Sequence, residues 1–257
     1  MTIAPKSNIV PTTADFRAVA GKVWRLVEAQ HRISTNRLVA NADDQALLEQ
    51  LVEEVKPVVP TSVRGLHYLL ATPFRYGHAK ASRFRRANER PGIFYASWHV
   101  ATAIAETAYW RLLFFSRSPG FVPPTTVVEH SAFTTSIKVE RALDLAAAPF
   151  VAHASHWMDP KDYGACQAFA SAARSIDAQA IRYASVRDPQ HRANVALFDP
   201  TAFTTATPTI EETWHFRYEA GRLTAFAAYP SSDRFAFTFD DFGLIARRAQ
   251  RRERPRK

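Results

Sequence analysis

A strongly apolar stretch lies near the middle of the chain, at residues 91–116. A short β-type run at 93–97 leads through Ser97, a suitable helix N-cap, into a predicted helix over residues 100–115. Glu106 and Arg111 are the only charged residues of that helix. Since the two lie five positions apart, they point in different directions and do not pair locally. A buried carboxylate costs several kcal/mol unless donors or a cation offset it, so the pattern predicts a distant partner for Glu106.

The pattern upstream predicts two helices. Apolar residues recur with helical spacing over 15–32, with Asp15 as the N-cap. They recur again over 43–56, and Pro57 ends this second helix. We therefore expect residues 1–60 to form an N-terminal helical extension, packed against the rest of the chain. Residues 61–245 would then form the main domain.

Further elements alternate in type. We expect a short strand and loop over 66–92, one or two strands over 125–139, a turn and short helix over 141–150, and a helix over 163–175. Two β-type runs, 180–187 and 194–198, flank a polar turn and predict a hairpin. Alternating runs after residue 213 predict antiparallel strands in the C-terminal third. The chain is therefore expected to be α+β.

Composition narrows the class of protein. A chain of 257 residues with 47% hydrophobic content can bury one large core, and its one cysteine cannot form an internal disulfide. The N-terminus shows no secretion signal and no apolar run reaches membrane-spanning length, so we expect a cytoplasmic protein. Of the net charge of +9, the tail at residues 246–257 contributes +6. Such a run is usually disordered and solvated, and less often a nucleic-acid arm.

Two arginines lie beside aromatic residues, Arg75 next to Tyr76 and Arg83 next to Phe84. A guanidinium beside a ring can hold a phosphate while the ring stacks on a planar group. The alternatives are a solvated basic loop for these arginines and a structural role for Glu106. The sequence contains no P-loop, Rossmann glycine motif, zinc-hydrolase motif or nucleophile elbow, and we expect no metal site.

Four blocks occur in a fixed order: PFRY (73–76), SRF (82–84), IFYAS with TAIAETAYWR (93–111), and AIRYASVRDP with NVALFDP (180–200). This order resembles the RES-domain family, over about residues 66–240. The resemblance implies an ADP-ribosyltransferase-like fold, with a split antiparallel β-sheet, flanking helices and an N-terminal helical extension. It further implies a toxin that consumes NAD and is paired with an Xre-type antitoxin.

Carried over to this chain, the resemblance implies two sets of site residues. The catalytic set would be Glu106, Arg75 and Ser185. The NAD-binding set would be Arg75, Tyr76, Arg83, Tyr95, Ser185 and Asn194. NAD would be the substrate, with water, phosphate or a target protein as acceptor. Two other functions stay open: a non-catalytic nucleotide-binding module, and a nucleic-acid binder that uses the basic tail.

Overall fold

One long strand, β3, organises a sheet of eight strands. The computed structural model describes residues 9–29, 41–118, 122–123 and 125–245. Within them the strands are β1 Arg17–Glu28, β2 Phe94–Ser97, β3 Val128–Asp144, β4 Ala180–Ala184, β5 Ala193–Leu197, β6 Thr209–Glu219, β7 Arg222–Ala227 and β8 Arg234–Thr238. The helices are α1 Ala42–Glu54, α2 Tyr68–Arg75, α3 Val100–Arg117, α4 Ala154–Trp157 and α5 Gly164–Ser175. The predicted α+β class is confirmed.

The sheet splits along one edge of β3. Strand β1 pairs with β3 from Glu28↔His130 to Arg17↔Ala142 and so occupies one edge of it. On the opposite edge, β6 pairs with residues 128–134 and β4 pairs with residues 142–144. The strands β4, β5 and β2 therefore form one half of the sheet, and β6, β7 and β8 form the other. The predicted split antiparallel sheet is confirmed, with one parallel pair, between β3 and β4.

Strand β1 also touches the first half of the sheet. Trp24 is paired with Ser97 of β2, so the strands β1, β2, β5, β4 and β3 form a closed ring. Gly21 has φ +150, and a Cβ there would meet Nε1 of Trp98 at 3.3 Å. Glycine tolerates both the backbone conformation and the close approach.

The first predicted helix is wrong, because most of that segment forms β1. Val19, Val23 and Val27 are spaced by four residues, which fits a helical stripe but also fits one face of a strand. Pairing of eleven β1 residues with β3 decides between the two. The end of the predicted helix, at 30–32, lies outside the described residues. The second predicted helix is confirmed as α1, which begins after the N-cap Asn41.

The short strand predicted within 66–92 is also wrong, since α2 occupies 68–75, whereas the predicted loop follows α2. The Nδ1 atom of His67 accepts a hydrogen bond from the backbone N–H of Leu69 at 3.3 Å and so caps α2. Helix α3 begins at Val100 with His99 as N-cap, two residues later than the predicted cap at Ser97. The turn predicted at the start of 141–150 is instead the end of β3.

The other predicted elements agree with the structure. The helix over 163–175 is α5, the hairpin is β4 and β5, and the C-terminal third contains β6, β7 and β8. The basic tail at 246–257 lies outside the described residues. No helix in the described ranges is long and apolar enough to cross a bilayer.

Helix α3 bridges the two halves of the sheet. It lies against β1 and β2 on one side and against β7 and β8 on the other. The side toward β6, β7 and β8 is an apolar core, built with Trp214, Phe216, Leu223, Phe237 and Phe242. Two further apolar clusters lie behind the first half of the sheet, one around α5 and one around α2. Glu106 is therefore carried by a helix that is packed on several sides.

Candidate active site

A cavity of about 510 Å³ opens between α3, β1, β2 and the loop before β2. Its volume lies within the range of sites that bind small molecules and cofactors. Its lining includes five cationic side chains but only one carboxylate, that of Glu106. The five are Arg25, Lys80, Arg83, Arg85 and Arg187. None of them forms an ion pair with a carboxylate in the part of the chain that the structure describes. A cavity with this charge favours an anionic ligand.

Glu106 has the distant partners that its sequence context predicted. Its Oε1 atom accepts hydrogen bonds from Oγ of Ser185 at 2.7 Å and from Nδ2 of Asn194 at 2.8 Å. These neutral donors orient the carboxylate without cancelling its charge. The Oε2 atom accepts no hydrogen bond from any described residue, so half of the carboxylate remains available to a ligand.

Both donors are themselves fixed. Ser97 on β2 donates from Oγ to Oδ1 of Asn194 at 2.6 Å, which leaves the amide nitrogen of Asn194 facing Glu106. The Ser185 hydroxyl accepts backbone N–H bonds from Arg187 and Asp188, each at 3.1 Å, so its proton points toward Glu106. Ser185 is fully buried and does not line the cavity. It therefore holds Glu106 without being able to contact a ligand.

Arg83 and Tyr95 line the cavity, as the resemblance implied. Arg83 is buried; its Nη1 donates to the carbonyl of Trp157 at 2.6 Å, and its guanidinium lies 4.7 Å from the ring centre of Tyr163. The Tyr95 hydroxyl contacts Oγ of Ser82 at 2.9 Å and accepts from the backbone N–H of Phe84. Burial raises the pKa of Tyr95 to about 12, so the phenol stays neutral. Tyr95 thereby holds the SRF loop against the sheet.

Arg75 and Tyr76 do not line the cavity. The Arg75 guanidinium forms an ion pair with Glu53 of α1 at 2.7 Å and donates to the carbonyl of Pro57. Tyr76 lies beside it, with the guanidinium 5.9 Å from the ring centre. The structure thus brings together Glu106, Ser185, Asn194, Arg83 and Tyr95, and places this predicted pair elsewhere, where Arg75 ties α1 to α2.

Arg25 on β1 is a cavity residue that the sequence reasoning missed. Its Nη1 atom is buried and has no hydrogen-bond partner among the described residues, while the guanidinium lies 4.9 Å from the ring centre of Phe94. Burial lowers the pKa of Arg25 to about 10, which still leaves it charged at neutral pH. A buried guanidinium nitrogen without an acceptor is costly, so the site suits an anion. A signal was present in the sequence, because Arg25 interrupts an apolar run.

Arg187 was also missed, although it lies two residues after Ser185. Its guanidinium stacks 3.5 Å from the ring centre of Tyr109, and its Nη2 donates to the carbonyl of Pro160 and to the hydroxyl of Tyr163. Burial is the main cause that raises the pKa of Tyr109 to about 12. This cluster gives the cavity a wall that combines flat rings with positive charge.

Among the described residues, no cluster of three or more histidine, cysteine or acidic side chains could hold a metal ion. His153 and His156, three residues apart, lie near each other with ring centres 6.0 Å apart, away from the cavity. Cys166 is buried beside Arg83, and burial raises the pKa of its thiol.

Comparison with known proteins shows which family the chain belongs to. The family model described as the RES domain matches residues 59–219 of the chain, which is more than half of its length. The chain belongs to the RES family. Among solved structures it is similar to a chain of the M. tuberculosis MbcT–MbcA toxin–antitoxin complex, at 11% identity and a TM-score of 0.42. That match covers 78% of this chain and 86% of the other. A search of curated proteins gave no match.

Proposed function

We propose that this protein is a RES-family toxin that consumes NAD by cleaving the bond between nicotinamide and ribose. The observation that carries the proposal is Glu106, held by two neutral donors at the wall of a cavity with five cationic side chains. This arrangement keeps one negative charge where a cationic sugar would form, and surrounds it with donors for a dianionic diphosphate.

The reaction breaks the C–N glycosidic bond, and its electron pair goes to the pyridinium nitrogen of nicotinamide. The ribose carbon develops positive charge, which the Glu106 carboxylate stabilises electrostatically. An oxygen nucleophile then bonds to that carbon and loses its proton. The nucleophile is water, inorganic phosphate or a side chain of a target protein.

Binding of the diphosphate is assigned to the cationic wall. Arg25 offers a guanidinium nitrogen that no described residue accepts from, and Arg83 lines the same cavity. Arginine forks onto phosphate oxygens in two parallel hydrogen bonds, which positions a dinucleotide as well as binding it. Arg75, proposed for this task by the family resemblance, lies outside the cavity, where its guanidinium is bound by Glu53 and the carbonyl of Pro57.

Flat aromatic surfaces remain for the nicotinamide and adenine rings. Tyr95 and Trp110 line the cavity, and Trp110 is half exposed at its wall. Rings of this kind stack on planar heterocycles. Ser185 and Asn194 take the role of holding Glu106, so the catalytic unit combines one carboxylate with two supporting donors.

An active NAD consumer harms the cell that makes it, so we also propose that an Xre-type antitoxin holds the protein inactive in the cytoplasm. The positive cavity favours an acidic partner surface, which speeds association. Expression of the toxin alone should arrest growth and deplete NAD, and co-expression of the antitoxin should reverse both effects. Normal growth and NAD levels with the folded protein alone would contradict the toxin assignment.

Incubation of the purified protein with NAD tests the chemistry. Chromatography and mass spectrometry should detect free nicotinamide together with ADP-ribose, with phosphorylated ADP-ribose when phosphate is added, or with ADP-ribosylated protein. The three products distinguish water, phosphate and protein as acceptor. Tight NAD binding without release of nicotinamide would show that the protein is a non-catalytic nucleotide-binding module and not an enzyme. Salt-sensitive RNA or DNA binding that disappears with residues 246–257 would favour the nucleic-acid binder.

A further inference from the structure

Two neighbouring hydrogen bonds join α3 to the β4–β5 turn, defined as residues 185–192. One is the bond between Ser185 and Glu106 at 2.7 Å. The other runs from Oγ1 of Thr102 to Oδ2 of Asp188 at 2.6 Å. Thr102 lies four residues before Glu106, so the two bonds leave the same face of α3 one helical turn apart.

Asp188 is nearly fully buried and uses both carboxylate oxygens. Besides Thr102, it accepts from Nε and Nη2 of Arg192, at 2.6 and 3.0 Å, and from the backbone N–H of Gln190 at 3.0 Å. Its own backbone N–H donates to the Ser185 hydroxyl. Asp188 therefore holds the turn in shape, orients Ser185, and attaches both to the helix that carries Glu106.

We propose that Thr102 and Asp188 are positioning residues, which hold Ser185 at the distance and orientation that fix the Glu106 carboxylate. The inference rests on the proposed function, since it assigns residues to the reaction of the same site. Neither residue lines the cavity, so each acts through Ser185 and not by touching NAD. A displacement of about 1 Å at a catalytic group can cost up to a hundredfold in rate.

Thr102→Val is the sharpest variant, because it removes one hydroxyl, keeps the side-chain shape and leaves Asp188 its other three donors. We expect kcat for nicotinamide release to fall about tenfold while KM stays within about twofold, since substrate contacts are unchanged. Thr102→Ser, which restores the hydroxyl, should recover most of the rate.

Thr134→Val is the matched control. Thr134 lies on β3, is as buried as Thr102, and does not line the cavity. Its hydroxyl donates to a carboxylate oxygen, Oε1 of Glu211, at 2.7 Å. It should lower the melting temperature as Thr102→Val does but leave kcat unchanged. Equal kcat in both variants would reduce Thr102 to a structural residue and overturn the inference.

A double variant tests whether the effect passes through Ser185. Once Ser185→Ala has removed the hydroxyl, Thr102→Val should cause little further loss of kcat, because the two residues act in one chain. If the loss of kcat in the double variant equals the product of the two single losses, Thr102 does not act through Ser185.

A second measurement does not depend on turnover. The backbone amides of Arg187 and Asp188, which donate to Ser185, should exchange with deuterium faster in Thr102→Val and at the wild-type rate in Thr134→Val. Unchanged exchange in Thr102→Val would overturn the inference. Wild-type protein that releases no nicotinamide would instead refute the proposed function, and the exchange data would still decide whether Thr102 holds the turn.

Discussion

The two halves of the split sheet meet α3 in different ways. The half formed by β6, β7 and β8 presents buried apolar side chains to the helix, among them Phe216, Leu223 and Phe237. The half formed by β2, β5 and β4 presents polar groups: Ser97 donates to Asn194, and Asn194 and Ser185 of the β4–β5 turn each donate to Glu106. One half thus supplies packing free energy, and the other sets the position of a charge. We expect variants on the two sides to change stability and activity separately.

The largest effect is expected on the apolar side. Phe216→Ala removes a fully buried ring and should lower the free energy of unfolding by about 4 kcal/mol, through lost burial and a residual cavity. Urea unfolding followed by circular dichroism measures this change. Phe114→Ala, which truncates a largely exposed ring on α3, should cost less than about 1 kcal/mol. Equal losses would mean that the apolar side does not carry the stability assigned to it.

Glu106→Gln should have the next largest effect, on the polar side. The amide keeps the shape and loses the charge that stabilises the developing cation, so kcat should fall by on the order of a hundredfold, or about 3 kcal/mol of barrier. NAD binding and melting temperature should change little. Glu211→Gln, which alters a carboxylate held by Thr134 away from the cavity, is the control and should keep full activity. A near wild-type rate for Glu106→Gln would refute the catalytic role.

Arg25 and Arg75 form a matched pair for binding. Arg25→Met should weaken NAD binding by about 2 kcal/mol, the size of a charge-assisted hydrogen bond to phosphate. Arg75→Met should leave the dissociation constant within about twofold, because its guanidinium is committed to Glu53 and Pro57. Calorimetric titration with NAD measures both. A larger loss of affinity in Arg75→Met than in Arg25→Met would assign phosphate binding to Arg75, as the family resemblance implied.

The last effect concerns stability at acid pH. Burial alone would raise the pKa of Asp188, but hydrogen bonds from Arg192 and Thr102 lower it from 3.8 to about 2. A lowered carboxyl pKa contributes stability above pH 4, and the contribution, about 2 kcal/mol, is lost as the pH falls from about 4 to about 2. Unfolding free energies of wild type and Asp188→Asn should therefore differ most at neutral pH and converge toward pH 2. A constant difference down to pH 2 would show that the charge of Asp188 is not what stabilises the turn.

Local patterns predicted the features that depend on neighbouring residues. The isolated charge of Glu106 in an apolar helix indicated a distant partner, and the polar turn between two β-type runs indicated the hairpin that supplies it. The identities of Ser185 and Asn194 came from the family resemblance, because nothing in their local sequence links them to a residue about 80 positions upstream.

Arg25 shows why the rest could not be predicted. Valines spaced by four residues satisfy a helix and a strand equally, so the pattern predicts a helix and does not single out Arg25. The deciding interaction is with β3, more than 100 residues later in the chain. Arg75 is the opposite case: a guanidinium beside a ring suits a phosphate clamp, but in the structure this guanidinium forms an ion pair with Glu53.

The pairing of β1 with β3 also sets an order of events during synthesis. Residues 17–28 leave the ribosome early, yet their partner strand follows only after about a hundred further residues, so β1 must wait unpaired while α2, β2 and α3 are made. The segment matched by the RES family model begins at residue 59 and does not include β1. A fragment cut at that boundary would expose the β3 edge along residues 130–142, an open template for strand addition by other chains. Aggregation of such a fragment during expression would follow from the missing strand alone.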